Sequence, residues 1–433
     1  MTGAGTGADT AGEGRGLRVC IHRGTEQIGG TCIELACRGQ RILLDLGLPL
    51  DAGDRDPMSL LPPVVGLLRG DRTLLALVLS HGHADHWGLV QSVAALPIVA
   101  GAATRRIMRA ASPFLPWTVP GTLDAGPDLV DRQPIVIGPF RITPYLVDHS
   151  AYDAYALMIE ADGRRLFYSG DLRAHGRKAA LFERLVTHPP RPVHTMLMEG
   201  SSLGRLAPGQ HFPTEADIEA LLVEQFGPQG FVGVCASAQN IDRVVSVYRA
   251  CRRTGRTLVL DLYAMEVLRA TGNPNIPAAG WTNLRVYVPE YQRRHIVRTE
   301  RFDLIDRYKR HRIYRETLGP MLRRTAMLLR PAMLPDIDLM AGAWDGARLI
   351  WSQWDGYLGQ PGIVEFRAKL AERNVSLEMI HTSGHASVAD LRRLAAAFMP
   401  DALVPVHTFQ ADQFAELFGG HVTRRRDGEW WEV

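Results

Sequence analysis

Three histidines and an aspartate fall within six residues, at His81, His83, Asp85 and His86. Imidazole nitrogens and carboxylate oxygens are the ligands that zinc prefers in proteins. The apolar run 74–79 directly before them is typical of a buried strand. A helix would scatter these side chains around its circumference, whereas a tight loop that opens at Gly82 can turn them toward one point. The segment therefore predicts a metal site on a loop at the end of a strand.

Further candidate ligands follow other strand-like runs, at Asp148, His149, Asp171, His381, His385 and His407. Functional side chains gather at strand ends in layered α/β proteins. A histidine considered alone is more often a satisfied loop or core residue than a ligand, so these positions count as a set. His381 is the neighbour most easily confused with His385, and we interpret it as a structural residue.

The pattern of elements changes along the chain. Residues 17 to about 170 contain short strand-like runs separated by turns. From about 206 to 358 strands alternate with helices, which predicts a parallel sheet with covering helices. We therefore expect an α/β protein in which residues 17–205 and 359–433 form one domain and residues 206–358 are inserted. No GxGxxG opens a helix there, so a dinucleotide site is not expected.

Composition narrows the class of protein. A chain of 433 residues is too long for one ordinary core, which favours two domains. The net charge is only +3, so any attraction to nucleic acid must come from a local patch. Five cysteines without a CxxC pair favour a reducing cytoplasm. No apolar run approaches about 18 residues, so we expect no membrane span. Residues 1–16 lack an apolar core and predict a disordered tail.

Taken together, these motifs resemble the metallo-β-lactamase fold. The His-x-His-x-Asp-His run, the distant His149, Gly170-Asp171 and a late histidine match its pattern, and 26–30 and 44–47 look like its opening turn and first acidic motif. The insertion resembles the β-CASP branch, which holds RNase J-like and polyadenylation-type nucleases. Residues 236–243 look like the strand-to-helix segment of that branch. The resemblance implies an αββα metallo-β-lactamase sandwich interrupted by an inserted α/β β-CASP domain.

The resemblance also assigns ligands to two divalent ions, zinc or alternatively manganese. One ion would take His81, His83 and His149; the second would take Asp85, His86 and His407; and Asp171 would bridge them. Two ions about 3.5–4 Å apart can share a water molecule and lower its pKa toward neutrality. Asp45 would orient a ligand histidine, as metal-bound histidines usually require. A strand-end cap is the alternative for Asp45.

A second group of residues is predicted to contact the substrate. Ser383, His385 and Ser387 offer two hydroxyls, an imidazole and approachable amides, which suit a phosphate. The resemblance makes His385 the group that contacts the scissile or terminal phosphate and protonates the leaving oxygen. We expect His385 and Asp85 to be catalytic. Asp261 looks like a further acidic motif of the family and is expected to bind substrate.

The insertion carries a basic segment. Residues 291–330 hold twelve Arg or Lys and four acidic residues, a net charge of +8, with Tyr291, Tyr308 and Tyr314 interleaved. Cations for phosphates and rings for bases are the ingredients of a channel for single-stranded RNA, and a solvated helical face is the alternative. Trp344 and Trp354 are further candidate stacking platforms, and core packing is favoured for Trp351.

We therefore expect a two-metal ribonuclease that uses an activated water. Single-stranded RNA is the favoured partner; DNA, and exonuclease against endonuclease action, stay open. A hydrolase of small molecules and a catalytically silent scaffold subunit are the alternatives. The basic segment argues against the first, and the intact ligand set argues against the second. The RNase J-like pattern includes a C-terminal oligomerisation domain, and the residues between His407 and Val433 leave no room for one. This argues against a tetramer and leaves a homodimer open.

Overall fold

The structure is a computed structural model that describes residues 16–93, 96–116 and 118–433. The predicted tail, residues 1–16, lies outside these described residues except for Gly16. Among the helices in these ranges, none is long and apolar enough to cross a membrane. The cysteines are buried free thiols.

The strands are numbered in chain order. They are β1 (Arg18–Arg23), β2 (Cys32–Cys37), β3 (Gln40–Leu44), β4 (Leu74–Val78), β5 (Ile98–Gly101), β6 (Asp128–Leu129), β7 (Ile135–Ile137), β8 (Phe140–Val147), β9 (Ala154–Ala161), β10 (Arg164–Tyr168), β11 (Thr195–Glu199), β12 (Val232–Cys235), β13 (Thr257–Leu260), β14 (Leu284–Val286), β15 (Thr325–Leu328), β16 (Arg348–Trp351), β17 (Leu377–Met379), β18 (Ala402–Val406) and β19 (Trp430–Glu432).

The α-helices are numbered in the same way. They are α1 (Ala84–Trp87), α2 (Ala102–Ala111), α3 (Ala179–Thr187), α4 (Glu215–Phe226), α5 (Ile241–Thr254), α6 (Leu262–Ala270), α7 (Glu290–Thr299), α8 (Phe302–Asp306), α9 (Arg315–Met321), α10 (Leu334–Asp338), α11 (Pro361–Glu372), α12 (Val388–Phe398) and α13 (Phe414–Phe418). Short 3₁₀ helices lie at Pro57–Leu60, Val90–Ser92, Ser112–Phe114, Gly121–Asp124, Leu322–Arg324, Pro331–Met333, Asp355–Gly359 and Ala411–Gln413.

Two sheets pack face to face and form a sandwich. One has the strand order β19-β1-β2-β3-β4-β5-β6, and the other β18-β11-β10-β9-β8-β7. Apolar side chains from the two inner faces, such as Ile33, Leu44, Leu157 and Val404, form one core. Alternate residues of a strand point to opposite faces, so the remaining apolar residues face outward.

Helices cover both outer faces of the sandwich. Leu77 of β4 packs with Met108 of α2 on one side. On the other side Phe167 of β10 packs with Phe182 of α3 and Leu391 of α12. Each sheet is therefore buried on both faces, and the predicted αββα sandwich is confirmed.

The third sheet, with the order β14-β13-β15-β12-β16-β17, is parallel throughout. Helices bury both of its faces in two separate cores. Helix α5 forms as its sequence predicts: the Asn240 side chain accepts the amide of Arg243, and Gly255 ends the helix in the left-handed conformation at φ 68°. The predicted α/β insertion is confirmed as a unit built on this sheet.

The insertion extends further along the chain than we expect from sequence. Strand β17 pairs with β16, and Phe366 and Leu370 of α11 pack in a core of the third sheet. The boundary that we predict at residue 358 thus lies before two elements that pack on the third sheet. Strand β17 is only three residues long, so its sequence gives a weak signal.

Candidate metal centre

The predicted ligands lie at one end of the sandwich. His81, His149, Asp171 and His407 follow the carboxyl ends of β4, β8, β10 and β18. Strands from both sheets thus deliver them to one place. His407 adopts φ 54°, a left-handed turn directly after β18.

The first motif is a loop that runs into a helical turn. His81 and His83 lie in the loop, whereas Asp85 and His86 lie in α1, so the expectation of a loop throughout is wrong. The turn docks tightly on Gly47, where an added Cβ would lie 1.6 Å from the Asp85 carbonyl oxygen. Only glycine permits this approach, and it fixes the direction of α1 relative to β3.

His81, His83 and His149 form the first group of candidate ligands, with donor atoms within 4.8 Å of one another. His149 Nε2 lies 3.1 Å from His83 Nδ1. His149 Nδ1 donates to the Gly384 carbonyl at 2.5 Å, which leaves Nε2 with its lone pair. Burial lowers the pKa of His81 and His149 well below the usual value, and that of His83 to about 4. Neutral imidazole is the form that binds a metal.

Asp85, His86, Asp171 and His407 form the second group. Asp171 Oδ2 lies 3.1 Å from His86 Nε2 and 3.6 Å from His407 Nε2. The same oxygen lies 3.8 Å from His81 Nε2 of the first group. Asp171 therefore stands between the two groups.

Several buried polar atoms at this place lack partners. Among the described residues, His81 Nε2, Asp171 Oδ1 and His407 Nε2 make no hydrogen bond. Leaving such atoms buried and unpaired is costly, and native proteins rarely do it. A divalent cation would satisfy all three, and nitrogen and carboxylate donors suit zinc. The residues present thus fit a metal centre.

Asp45 binds the ring nitrogen of His86 that points away from Asp171. Its Oδ2 accepts from His86 Nδ1 at 2.8 Å, from the Ser80 hydroxyl at 2.7 Å and from the Tyr168 hydroxyl at 2.8 Å. Its Oδ1 accepts the Ser80 amide at 2.7 Å. The bond to Nδ1 turns His86 Nε2 toward Asp171. Asp45 thus contacts a candidate ligand, as we expect from sequence.

Two further partners have no obvious sequence signal. The Thr31 hydroxyl lies 2.8 Å from His407 Nδ1 and orients that ring. Glu199 Oε2 lies 2.8 Å from His385 Nδ1, while its Oε1 accepts the Leu172 amide at 2.7 Å. Asp171, Glu199 and His385 form a third cluster of ligand-type atoms. Glu199 ends an apolar strand, and its placement at a Glu-Gly-Ser-Ser junction is the only hint of its role.

The His385 loop is positioned by close packing. At Gly384 an added Cβ would lie 2.6 Å from Ser150 Oγ and 3.3 Å from His149 Cε1. His385 stacks at 5.8 Å from the His407 ring and lies 5.3 Å from the His149 ring. The His385 side chain is 19% exposed, so it borders the two groups of candidate ligands on the side that solvent reaches.

The serines of this loop have structural roles. The Ser383 hydroxyl accepts the His385 amide at 3.0 Å and shapes the loop. Ser387 is fully buried and caps α12: it accepts the Asp390 amide at 3.2 Å and donates to the Asp390 carboxylate at 2.7 Å. The hydroxyl of Ser387 is thus engaged by its own helix.

Asp261 is not brought to the metal centre. It caps α6 by accepting the Ala264 amide, and its carboxylate bonds with Gln292 and Arg330 inside the third-sheet unit. Its side chain is buried, so these contacts occupy it. His381 lies outside the three ligand clusters, with its ring beside Arg243.

One buried arginine connects the sandwich to the third-sheet unit. The fully buried Arg173 pairs with Asp148 at 3.3 Å, next to His149 in sequence, and with Asp242 of α5 at 2.6 Å. It also donates to the Ser383 carbonyl at 3.3 Å. The ligand loop, the His385 loop and the inserted unit thus share one guanidinium.

The basic segment 291–330 is less available than its composition suggests. Tyr308 is buried and donates to Glu266 at 2.6 Å, and Tyr291 turns toward Asp261. Tyr314 is exposed, with Arg312 over its ring. The interleaved rings therefore do not form a row of stacking platforms.

Comparisons with known proteins agree with this geometry. Residues 40–215 match the family described as a beta-lactamase superfamily domain, and residues 371–423 match a Zn-dependent metallo-hydrolase RNA specificity domain. Ribonuclease J of Sinorhizobium meliloti is 23% identical over 419 residues, which cover 90% of this chain and 69% of that protein. Ribonuclease J of Mycobacterium tuberculosis is 26% identical over 261 residues, 56% of this chain and 44% of that protein.

A solved structure supports the fold. A protein of unknown function from Enterococcus faecalis V583 superposes with a TM-score of 0.77 at 21% identity, covering 96% of this chain and all of that one. The sandwich and the cluster of histidines and aspartates agree with the family matches, and together they support a metal-dependent hydrolase with a domain of the metallo-β-lactamase fold. Over most of its length the chain is similar to RNase J-like proteins.

Proposed function

We propose that this protein is a ribonuclease that hydrolyses phosphodiester bonds with the help of two divalent ions, zinc in preference to manganese. The observation that carries the proposal is the position of Asp171 between two groups of candidate ligands, with unpaired buried atoms on both sides. A single-ion site would leave one of these groups without a partner.

His81, His83 and His149 would hold one ion, and Asp85, His86 and His407 the other, and Asp171 would contribute to both. Two such ions would lower the pKa of a water molecule and neutralise charge on a phosphodiester. The protein itself orients the ligand rings. Asp45 contacts Nδ1 of His86, Thr31 contacts Nδ1 of His407, and the Gly384 carbonyl accepts from Nδ1 of His149.

His385 would serve the leaving group. Glu199 binds its Nδ1 at 2.8 Å, which leaves Nε2 as the nitrogen that can hold a proton for the departing oxygen. Asp85 has a 20% exposed side chain and is the carboxylate nearest solvent in its group. Its free oxygen can accept a proton from water, which is the catalytic role that we propose for it.

RNA as the substrate rests on two kinds of support. The RNA specificity match spans residues 371–423 and includes His385 and His407, and the named relatives are ribonucleases. In addition, a cavity of about 320 Å³ between α2, α6 and α8 is lined by five arginines and one acidic side chain: Arg106, Arg109, Arg269, Arg301, Arg307 and Glu266. Cations from both units thus line a cavity whose charge suits phosphates.

The test combines metal analysis with two substrates. Purified protein should contain about two zinc ions per chain, shorten labelled single-stranded RNA and lose both properties on Asp171→Ala. Asp162→Ala changes an exposed turn and is the control. Active protein without metal would refute the metal centre. Turnover of bis-nitrophenyl phosphate with no action on RNA would assign the protein to small-molecule hydrolysis instead, and DNA of the same sequence tests the sugar preference.

A further inference from the structure

Two loops meet beside His385. The first follows β11: the Arg205 amide donates to the Ser202 carbonyl at 3.1 Å, and the Ser202 hydroxyl donates to the Ala386 carbonyl. Because Ala386 directly follows His385, this chain of contacts places Arg205 at the edge of the His385 loop. Arg205 itself is exposed.

The second loop follows β16 in the third-sheet unit. The Ser352 hydroxyl donates to the Ile380 carbonyl at 2.5 Å, and the Trp351 indole donates to the Trp354 carbonyl at 3.2 Å. The loop is built around the Trp354 ring, since an added Cβ at Gly356 would lie 2.4 Å from it. Trp354 is therefore held in one place although it is only half-buried.

The two loops touch through a cation and a ring. The Arg205 guanidinium lies over the Trp354 ring, 5.2 Å from its centroid, and Tyr357 meets the same ring edge-on at 5.3 Å. Burial and the charge of Asp85 raise the pKa of Tyr357, so this ring lies within electrostatic range of a candidate metal ligand. The contact thus borders the metal centre.

Among the described residues, the guanidinium makes no further direct polar contact, although the charges of Asp355 and Glu199 lie within electrostatic range. Within the part of the chain that the structure describes, the Arg205 side chain makes no ion pair and no hydrogen bond. Trp344 and Arg373 offer a comparison, because Arg373 lies over the Trp344 ring at 5.6 Å and also pairs with Asp338 at 2.6 Å. That pair is internally satisfied, whereas Arg205 presents a free charged plane.

Resting on the proposed function, we propose that Arg205 and Trp354 form a base shelf, a stacking site for the nucleobase next to the scissile phosphate. Single-stranded RNA is recognised by stacking its bases on aromatic rings and guanidinium planes. A substrate without a base would gain nothing from this pair. The shelf therefore places one base of the strand beside the metal centre and sets the register of cleavage.

The experiment uses Arg205→Lys and Trp354→Ala. Lysine keeps the charge but removes the planar surface, so it separates stacking from simple attraction. Loss of one stacked base costs about 1–3 kcal/mol, so KM for a short 5′-phosphorylated RNA should rise about 5- to 150-fold in each variant. Zinc content and melting temperature should stay at wild-type values. Trp354→Phe keeps a ring and should recover most of the loss.

An abasic residue moved one position at a time along the RNA locates the base. In the wild type one position should raise KM as much as Trp354→Ala does. At that position the variants should show no further loss, because the base they fail to bind is already absent. Trp344→Ala removes the matched ring from the third-sheet unit and should leave KM unchanged.

Three results would count against the base shelf. An Arg205→Lys variant with wild-type KM would show that only charge matters there. An equal loss on intact and abasic RNA would make the contact structural. Wild-type protein that binds zinc and hydrolyses a small phosphodiester but not RNA would refute the proposed function, and a nucleobase occupant with it.

Discussion

Replacing Asp45 with Asn tests how the protein orients its metal ligands. Three donors converge on Asp45 Oδ2, from His86, Ser80 and Tyr168, and the Ser80 amide occupies Oδ1. An Asn must place an NH₂ group against the donors of one side, whichever way its amide turns. Its backbone is not strained by the change, because Asn tolerates the left-handed φ of 58°.

The expected loss can be worked out from these contacts. Turning the amide so that its oxygen faces His86 leaves the Ser80 amide unpaired, and the opposite orientation removes the charge-assisted bond to His86. Partners of ligand histidines typically contribute 10–100-fold in metal affinity, or about 1.4–2.7 kcal/mol. Zinc affinity, measured by competition with a chelating dye, should therefore weaken by about 10–100-fold in a protein that still folds.

Asp153 provides a matched control. It also adopts a left-handed backbone, at φ 64°, and accepts the Ala103 and Thr104 amides and the Tyr155 hydroxyl. Asp153→Asn should lower the melting temperature without changing zinc affinity. Asp45→Asn with wild-type zinc affinity would refute the argument that His86 depends on this carboxylate. An equal zinc loss in both variants would show a general effect of weakened packing.

Three further predictions concern the late histidines, the buried Glu215 and the arginine-lined cavity. His385→Ala should retain zinc but lose about 10²–10⁴-fold in turnover, whereas His407→Ala should lose zinc. Although burial opposes it, guanidinium partners lower the pKa of Glu215 to about 2, so its stabilisation is present above the usual pKa and is lost as pH falls toward 2. Glu215→Gln should thus reduce stability at pH 7 by on the order of 3 kcal/mol, with the difference shrinking in acid. Arg109→Ala and Arg301→Ala should each flatten the plot of log RNA affinity against log salt by up to about 0.7.

Each of these has a clear contrary result. Equal zinc loss in the two histidine variants would make His385 a ligand. A stability difference for Glu215→Gln that persists at low pH would mean that packing rather than charge is involved. An unchanged slope of log RNA affinity against log salt would show that the arginine-lined cavity does not bind RNA. Arg293→Ala, which breaks an exposed pair with Glu290, is the control for this measurement.

Residue chemistry was sufficient to predict most of the residues that the structure brings together in the candidate metal centre. A set of histidines and aspartates that each follow a strand end is typical of metal binding, so His149, Asp171 and His407 were identifiable although far apart in sequence. Glu199 and Thr31 were not, because each is a common residue at the edge of an apolar strand. Their roles depend on which strands are neighbours, and local sequence does not carry that information.

Local structure explains why Ser387 and Tyr308 lie inside the protein. Ser387 and Asp390 have the spacing of a helix cap, which is readable from sequence and accounts for Ser387 without a phosphate. Tyr308 follows a helix whose buried face includes Leu304, so its ring lies inside. Predicting that inward orientation requires knowing which side of the helix meets the sheet, and the high positive charge of the segment obscured it.

Arg173 also limits how substrate can arrive. Swinging the third-sheet unit away from the sandwich at this point would separate the guanidinium from Asp242, and breaking a buried pair typically costs about 3–5 kcal/mol. The two units are therefore expected to stay together at this junction. We expect substrate to reach the candidate metal centre without an opening movement at this junction.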